Sequence, residues 1–532
     1  MSSRDEPIAA QGKASSPFAY GGFVLLWTAT LISNTGTWMH EVGAGWLMTT
    51  LDPEPAIVTL VQAATTLPVF CFALFAGALA DRLDKRRLLI TINLVLTLII
   101  SLLALLVWRE AMTPTLLILI TFAIGTGAAF MAPAWQAVVP QLVPRETLRS
   151  AIALNSMGIN ISRAIGPALA GVLIAGFGLA SPFAVNVISH LAIVAALVAW
   201  RPDPKPLHSS HNSIVADMAT GLRHVRYNSA MLATSVRAMG FFLFASAYWS
   251  LLPLIAHGAD SGGSKLYGML MALIGAGAVF GALLLPHLQK RISSDQTVRF
   301  GTAGTATAML AMALSSSAAT LMFAAFLGGL SWIAVLTSFN VSAQTALPDW
   351  VRARGLAVYL MVFFGAMALG SVTWGQLATL TSIPTVLLFA AAGLLIGIPL
   401  TRRFIIGQGE TLDFTPASAW PLAPTFGNED PEDRAARVTV EYRIAATDRE
   451  VFLTKLRIFS KERLRDGATR WELHQNVENP EFWVENFYLS SWSEHLEQHD
   501  RVTRSDIDLQ QELRALDNRE DGPVVRHYLR AK

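Results

Sequence analysis

Apolar residues gather into twelve long runs over the first three quarters of the chain, separated by short polar connections. The runs cover about residues 21–49, 56–80, 88–108, 114–139, 150–176, 182–200, 231–256, 266–288, 298–316, 319–346, 354–378 and 384–401. Each approaches the ~20 apolar residues that a helix needs to cross a ~30 Å hydrocarbon core, so the pattern predicts twelve membrane-spanning helices. In the polar stretch 201–229, Ile214, Met218, Leu222 and Val225 stand at helical spacing. They predict an amphipathic helix lying along the membrane surface. After Arg403 the pattern changes. Val438–Ile444 alternates as a strand, and Asp448 would cap a helix that ends at Asp466 and Gly467. Residues 470–477 and 482–490 read as strands, Ser493–Leu516 as one helix and Val524–Leu529 as a last strand. The order βαββαβ is ferredoxin-like.

The predicted layout is a polar tail (1–17), a first membrane half (18–200), a linker (201–229), a second half (230–403), a flexible linker (404–436) and a soluble α+β domain (437–532). Charge divides the chain the same way. Residues 1–400 carry 21 Lys+Arg and 14 Asp+Glu, and the remainder carries 19 and 24. The first part is therefore too poor in charge for a soluble fold, since such domains average about 25% charged residues. Neither part has the basic surplus of a nucleic-acid binder.

Arg82, Lys85, Arg86, Arg87, Arg145, Arg149, Arg201, Lys205, Arg223, Arg226, Lys290, Arg291, Arg299, Arg352 and Arg354 fall on even-numbered connections. Odd-numbered ones offer only Arg109 and Lys265. This bias predicts that both termini are cytoplasmic and that the protein sits in the inner membrane as a multi-pass protein. Arg4, Asp5 and Glu6 do not form the basic start of a cleaved leader, so the first run is expected to remain as a span. The single cysteine, Cys71, precludes an intrachain disulfide and is expected to be a small buried hydrophobe.

The chain repeats itself. Gly77-Ala-Leu, followed by Lys85, Arg86 and Arg87, returns as Gly281-Ala-Leu, followed by Lys290 and Arg291. Gln136-x3-Pro140 returns as Gln344-x3-Pro348, and Gly166-x4-Gly171 as Gly370-x4-Gly375, at offsets of about 204–208. Such order implies a six-helix unit duplicated in parallel.

Ionisable residues inside spans are costly and mark candidate sites. Glu41 with His40 in the first span, Arg163 in the fifth, His190 in the sixth and Arg237 in the seventh are those residues. Glu41, His40 and His190 are the proton-coupling candidates, although Glu41 also fits an interfacial position beside Trp38 and Trp46, and His190 reads first as a packed polar group. Asn155, Asn160 and Asn186 read as structural bridges between helices. In the loop from Gly77 to Arg87, Gly77 would permit close helix approach. Asp81, ringed by Arg82, Lys85, Arg86 and Arg87, would brace the two halves through a breakable ion pair. In the fifth span, Gly166, Pro167 and Gly171, one turn and more beyond Arg163, give a bend and a flat face for a partner helix.

The Gly77–Arg87 loop resembles the signature loop of the major facilitator superfamily, with Asp84 where that family has Gly. Arg163-Ala-Ile-Gly166-Pro167-Ala-Leu-Ala-Gly171 resembles the helix-5 signature of its exporters. With Trp38–Met48 and Leu60–Pro68, these segments resemble the bacterial transmembrane secretion effector group, relatives of enterobactin-type siderophore exporters. The resemblance implies two facing six-helix halves and proton-driven export of a small amphipathic or siderophore-like compound by a secondary transporter. Trp492-x2-His495-x3-His499-x-Arg501-x-Thr503 resembles small antibiotic-biosynthesis-monooxygenase domains, which usually dimerise. The alternative it carries is a membrane-tethered oxidoreductase, or an assembly or regulatory protein acting through the tail.

His495 and His499 stand at metal-ligand spacing, yet the sequence offers no evident third ligand and no HExxH motif, so a solvated helix face and no metal are expected. No catalytic constellation, cofactor motif or nucleotide-binding loop is present. The expected partners are a small-molecule substrate, protons, lipid, and a second copy or another protein at the tail.

If Asp81 braces the halves, Asp81→Asn should slow export several-fold while the protein inserts at normal levels. Transport assays normalised to membrane protein check this, and an unchanged rate would refute the brace.

Overall fold

The computed structural model describes residues 16–201, 214–260, 262–348, 350–415 and 434–531. Its first six long helices are α1 (Gly21–Leu51), α2 (Pro55–Arg82), α3 (Lys85–Trp108), α4 (Pro114–Val138), α5 (Leu148–Phe177) and α6 (Ser181–Ala199). A shorter α7 (Ile214–Tyr227) leads into α8 (Ser229–His257), α9 (Ser264–Leu288), α10 (Ser294–Leu314), α11 (Ala318–Thr345), α12 (Arg352–Leu380) and α13 (Ile383–Leu400). Ten of these helices are long and apolar enough to cross a membrane. The other two of the twelve, α1 and α10, reach 31 and 21 residues but carry more polar groups, Glu41 among them. By internal contacts the chain forms two units. One holds α1–α6, α9, α10, α13 and the greater parts of α8, α11 and α12; the other holds α7, the remaining ends of α8, α11 and α12, and the chain beyond Leu400.

The duplication read from the sequence has a physical counterpart in the first unit. Lipid chains compete with apolar side chains for a helix surface, so helices associate where small residues let backbones come close. On α5, a Cβ at Gly166 would stand 2.6 Å from Trp38 Cβ of α1, and one at Gly171 would stand 3.1 Å from Gly268 Cα of α9. On α12, a Cβ at Gly370 would overlap Ser246 Oγ of α8, and one at Gly375 would overlap Thr59 Oγ1 of α2. Each pair does the same two jobs. The first glycine seats its helix on the first helix of its own half, and the second seats it on the second helix of the other half. The α2–α12 seam adds a hydrogen bond from Ala56 N–H to Thr379 Oγ1 (3.1 Å).

Two expectations fail here. A Cβ at Gly77 would meet no atom within 4 Å, so no close helix approach depends on that glycine. Gly77 lies toward the end of α2 away from Thr59, beyond the reach of the seam. Cys71 is exposed rather than buried, on an apolar helix surface of the kind that faces lipid.

In the second unit, β1 (Ala436–Arg443), α14 (Arg449–Arg465), β2 (Arg470–Gln475), β3 (Phe482–Leu489), α15 (Trp492–Arg501), α16 (Arg504–Ala515) and β4 (Val524–Leu529) form a ferredoxin-like domain. The sheet order is β2-β3-β1-β4, antiparallel throughout. Val438, Val440, Phe452, Leu456, Phe459 and Phe487 fill its core. Buried Glu485 is satisfied there by Tyr442 Oη (3.0 Å) and Trp471 Nε1 (2.9 Å), which both donate to it, and by Arg463 at 3.5 Å.

The single helix expected over 493–516 is two. Val502 is extended (ψ 128°), and a capping box starts α16, with Thr503 N–H donating to Asp506 Oδ2 (3.0 Å). Asp448 precedes α14 but its side chain makes no capping bond. The expected flexible linker is partly pinned. Asp413 N–H donates to Ser505 Oγ (2.8 Å), and Gly407 N–H donates to Ser342 Oγ (3.2 Å).

Gly375→Val should force α12 away from α2 and destabilise the bundle by about 1–3 kcal/mol. Gly77→Ala should leave it unchanged. Thermal unfolding of both variants in detergent checks the contrast, and equal stability would disprove the seam.

Candidate functional site

Arg163 and Glu41 come together where three helices meet. The Glu41 carboxylate, half-buried on α1, lies within electrostatic reach of Arg163 on α5 and of Tyr267 on α9. The Arg163 guanidinium also lies over the Trp38 ring at 5.1 Å, and its Nε is buried without a hydrogen-bond partner. Tyr267 stacks on Trp46 with ring centroids 6.0 Å apart, and its hydroxyl packs where a Cβ on Gly45 would reach 2.9 Å. Trp46 is 7% exposed, which places it in the packing rather than at an interface. Backbone contacts hold both charged positions. Ala164, next to Arg163, would meet a Cβ on Gly275 at 2.5 Å, and Gly268, next to Tyr267, meets Gly171. An acid and a base from half 1 thus share a site with a phenol from half 2.

The equivalent place in half 2 carries no charge. Gly166 and Gly370 seat on Thr35 O and Trp38 in one half and on Leu243 O and Ser246 in the other, so Glu41 corresponds to Trp249 and Arg163 to Met367. Trp249 packs edge-to-face on Trp332 (5.1 Å), which touches Phe241 (5.8 Å) and Phe242 (5.3 Å). This aromatic cluster was missed in the sequence, where its members read as ordinary apolar positions of separate spans.

His40 packs edge-to-face on Phe183 (5.1 Å) with its Nδ1 buried and unpartnered. His190 is buried and its Nδ1 pairs with Asn93 Oδ1 (3.0 Å), tying α6 to α3. Asn155 Oδ1 accepts from Trp135 Nε1 (3.4 Å) between α5 and α4, and Asn186 Oδ1 accepts from Ser189 Oγ (3.0 Å) within α6. The side chains of Asp81, Arg82 and Asn160 lie outside the described residues. The rest of the loop is well tied. Asp84 caps α3 by accepting from Arg87 N–H (2.7 Å), and Arg86 donates to Leu197 O (2.8 Å) and Val198 O (2.7 Å) at the C-terminus of α6. A cation at those carbonyls also meets the negative end of the helix dipole.

In the second unit Arg237 is buried and donates to Phe404 O (3.4 Å). The amphipathic α7 has a protein partner, because it packs on α14 and Arg223 pairs with Glu494 of α15 (3.3 Å). From the other end of α15, Arg501 donates to Glu494 (2.8 Å) and to Asp466 O (2.9 Å) and lies over the Trp350 ring at 4.4 Å. His224 of α7 stands edge-on to the same ring (5.4 Å). Burial, then the Arg465, Arg223 and Arg501 charges, push His224 down to about 2, so it is neutral.

The solvated face expected for the α15 histidines is a correction. His495 is only 1% exposed, because it packs under Trp492 (5.1 Å) and beside His527 of β4 (4.9 Å). Near this helix the Arg465 fork binds Asp466 (2.7 Å) and Asp506 (2.9 Å). Glu462 stands by them with its Oε2 buried and unpartnered. Burial, then the Asp506 charge, push its carboxyl up to about 8, against the pull of Arg465.

The sequence profile of the transmembrane secretion effector family matches residues 13–532 of the chain. A staphyloferrin A transporter of Staphylococcus aureus is 26% identical over 349 residues, 63% of this chain and 84% of the relative. An enterobactin exporter of Salmonella choleraesuis is 24% identical over 65% of this chain and 83% of its own length. A macrolide efflux protein of Streptococcus pyogenes is 24% identical over 51% and 68%. Among solved structures, a nucleoside transporter superposes with a TM-score of 0.62 at 12% identity, over 72% of this chain and all of that one, which shows the fold.

The Glu462 carboxyl ionises near 4.5 ordinarily but near 8 when folded, so the folded state loses stability as pH rises from about 4.5 to 8. Glu462→Gln should therefore raise the melting temperature of the purified protein more at pH 8 than at pH 5. Equal gains at both values would show that this carboxyl does not carry the dependence.

Proposed function

The chain belongs to the transmembrane secretion effector family of membrane transporters, and within it we propose a proton-coupled exporter of a small amphipathic or siderophore-like compound, working by alternating access. The observation that carries this reading is the meeting of Glu41, Arg163 and Tyr267 at a seam between the two halves. Apart from Asp81 and Asp295 at helix ends, Glu41 is the sole carboxylate in the twelve long helices. An antiporter needs a group whose protonation changes with the access state. Ionised, Glu41 satisfies Arg163. Protonated, it releases that guanidinium, which lies over the Trp38 ring at 5.1 Å, to hold an anionic group of the cargo. The aromatic cluster at the equivalent place in half 2 suits the apolar portion of the same molecule.

Relatives that carry staphyloferrin A, enterobactin and macrolides support small-molecule export. The two seams are built alike, and both gather toward the ends where α5 and α12 finish, so a rocking of rigid halves would close that end and open the other. The charge bias of the connections supports cytoplasmic termini in an inner membrane. The signature loop, with Gly77, Asp81, Arg82, Lys85, Arg86 and Arg87, lies on the opposite side from these seams. The contacts of α7 and Trp350 with α15 favour a regulatory role for the tail over an oxidative one.

A comparison of culture medium from cells with and without the protein identifies the cargo. With that compound in proteoliposomes, Glu41→Gln should retain binding while efflux driven by an imposed pH gradient falls about tenfold or more. A full response to the gradient would remove Glu41 from coupling and leave His40 and His190 to be tested.

A further inference from the structure

His495 and His499 lie on one face of α15, and the fold brings a third imidazole to them from β4. Each of His495, His499 and His527 offers one nitrogen, and the three nitrogens lie within 4.8 Å of one another. The Nε2 atoms of His495 and His499 are 3.2 Å apart. Two nitrogens bound at about 2.05 Å in a tetrahedral arrangement stand about 3.3 Å apart, so this pair already has the spacing of two ligands on one ion. We propose that His495, His499 and His527 form a three-imidazole site for a divalent first-row transition ion of the zinc class.

The surroundings fit such a site. Trp492 packs on both His495 (5.1 Å) and His527 (5.8 Å), which gives it an apolar wall. His495 is nine-tenths buried and more, and its Nδ1 and the Oε1 of the equally buried Gln498 both lack a hydrogen-bond partner, so a donor and an acceptor are on hand to orient a ligating imidazole. On the same helix, Glu494 and Glu497 are both engaged by Arg501. Among the described residues the donor set is all nitrogen, which selects zinc, cobalt, nickel or copper over calcium or magnesium. Three protein ligands leave a fourth position for water or another ligand.

The placement gives the ion a consequence. His527 sits on β4 and the other two ligands on α15, so a bound ion ties the helix to the sheet edge. The same helix holds Arg223 through Glu494 and Trp350 through Arg501. Metal occupancy would therefore set the position of the helix on which α7 and Trp350 rest.

The test uses the purified full-length protein, stripped with a chelator and dialysed against limiting Zn2+ or Co2+. Metal analysis should find about one ion per chain, and the Co2+ form should show the intense visible bands of a tetrahedral site. His499→Gln and His527→Gln, at the half-exposed ligands, should each weaken binding at least tenfold while circular dichroism stays unchanged. No metal retained by the unaltered protein would overturn the proposal without recourse to any variant. Equal retention by the parent and by the double variant would overturn it as well, because the ion would then sit elsewhere.

Discussion

Two helices from opposite halves of a membrane protein touch firmly only where nothing stands between their backbones, because lipid satisfies apolar side chains as well as another helix does. That constraint organises this bundle. Gly171 against Gly268, Gly275 against Ala164, and Gly375 against Thr59 are places where the halves meet closely because a glycine leaves room. The chemistry follows from these contacts rather than lying beside them. Tyr267 precedes Gly268, and Arg163 precedes Ala164, which meets Gly275. A shift of the α5–α9 seam by one turn would carry the phenol away from Glu41 and Arg163, which stay together in the first half. Any motion that opens the seam therefore acts on the charged site at once, with no chain of intermediaries required.

The duplication kept the packing and discarded the charges. Gly166 and Gly370 do one job, and Gly171 and Gly375 another, in both halves. Glu41 and Arg163 nevertheless correspond to Trp249 and Met367. An uncompensated charge in hydrocarbon is expensive, so a second acid and base in half 2 would have doubled that cost. In the exporter proposed here, one ionisable pair and one aromatic cluster would divide recognition between the halves, and a cargo with both an anionic and an apolar portion would use both.

Legibility in the sequence followed the range of the physics involved. The twelve long helices, the repeat and the order of the tail strands rest on periodicity and on turn residues, and all three could be read along the chain. The α7 helix was legible from Ile214, Met218, Leu222 and Val225, but its protein partner was not, because amphipathicity states that one face is covered and not by what. Thr503 and Asp506 had the spacing of a capping box inside a run that otherwise reads as helix, so a local signal for the break was present and outweighed by periodicity. The third histidine left no such signal. His527 sits 28 positions beyond His499 in a strand whose residues are mostly exposed, and only the antiparallel pairing of β4 on β1 brings it under α15. Gly77 shows the converse: a glycine in a recognisable motif was assigned a packing role that the structure gives to Gly171 and Gly375 instead.

The tail is held by the packing of α7 on α14 and by two polar contacts of α15. A fused domain would share an apolar core with its neighbours, worth many kcal/mol. Here the contacts from α15 to α7 and Trp350 are an ion pair whose partners are 23% and 19% exposed, and a guanidinium over one indole. Partly exposed pairs contribute about 1 kcal/mol or less, and a desolvated cation–π contact contributes about 2. Trp350 stands immediately before α12, the helix that carries Gly370 and Gly375. If the proposed regulatory role of the tail holds, Trp350 is the point at which the tail would reach α12 through the chain itself.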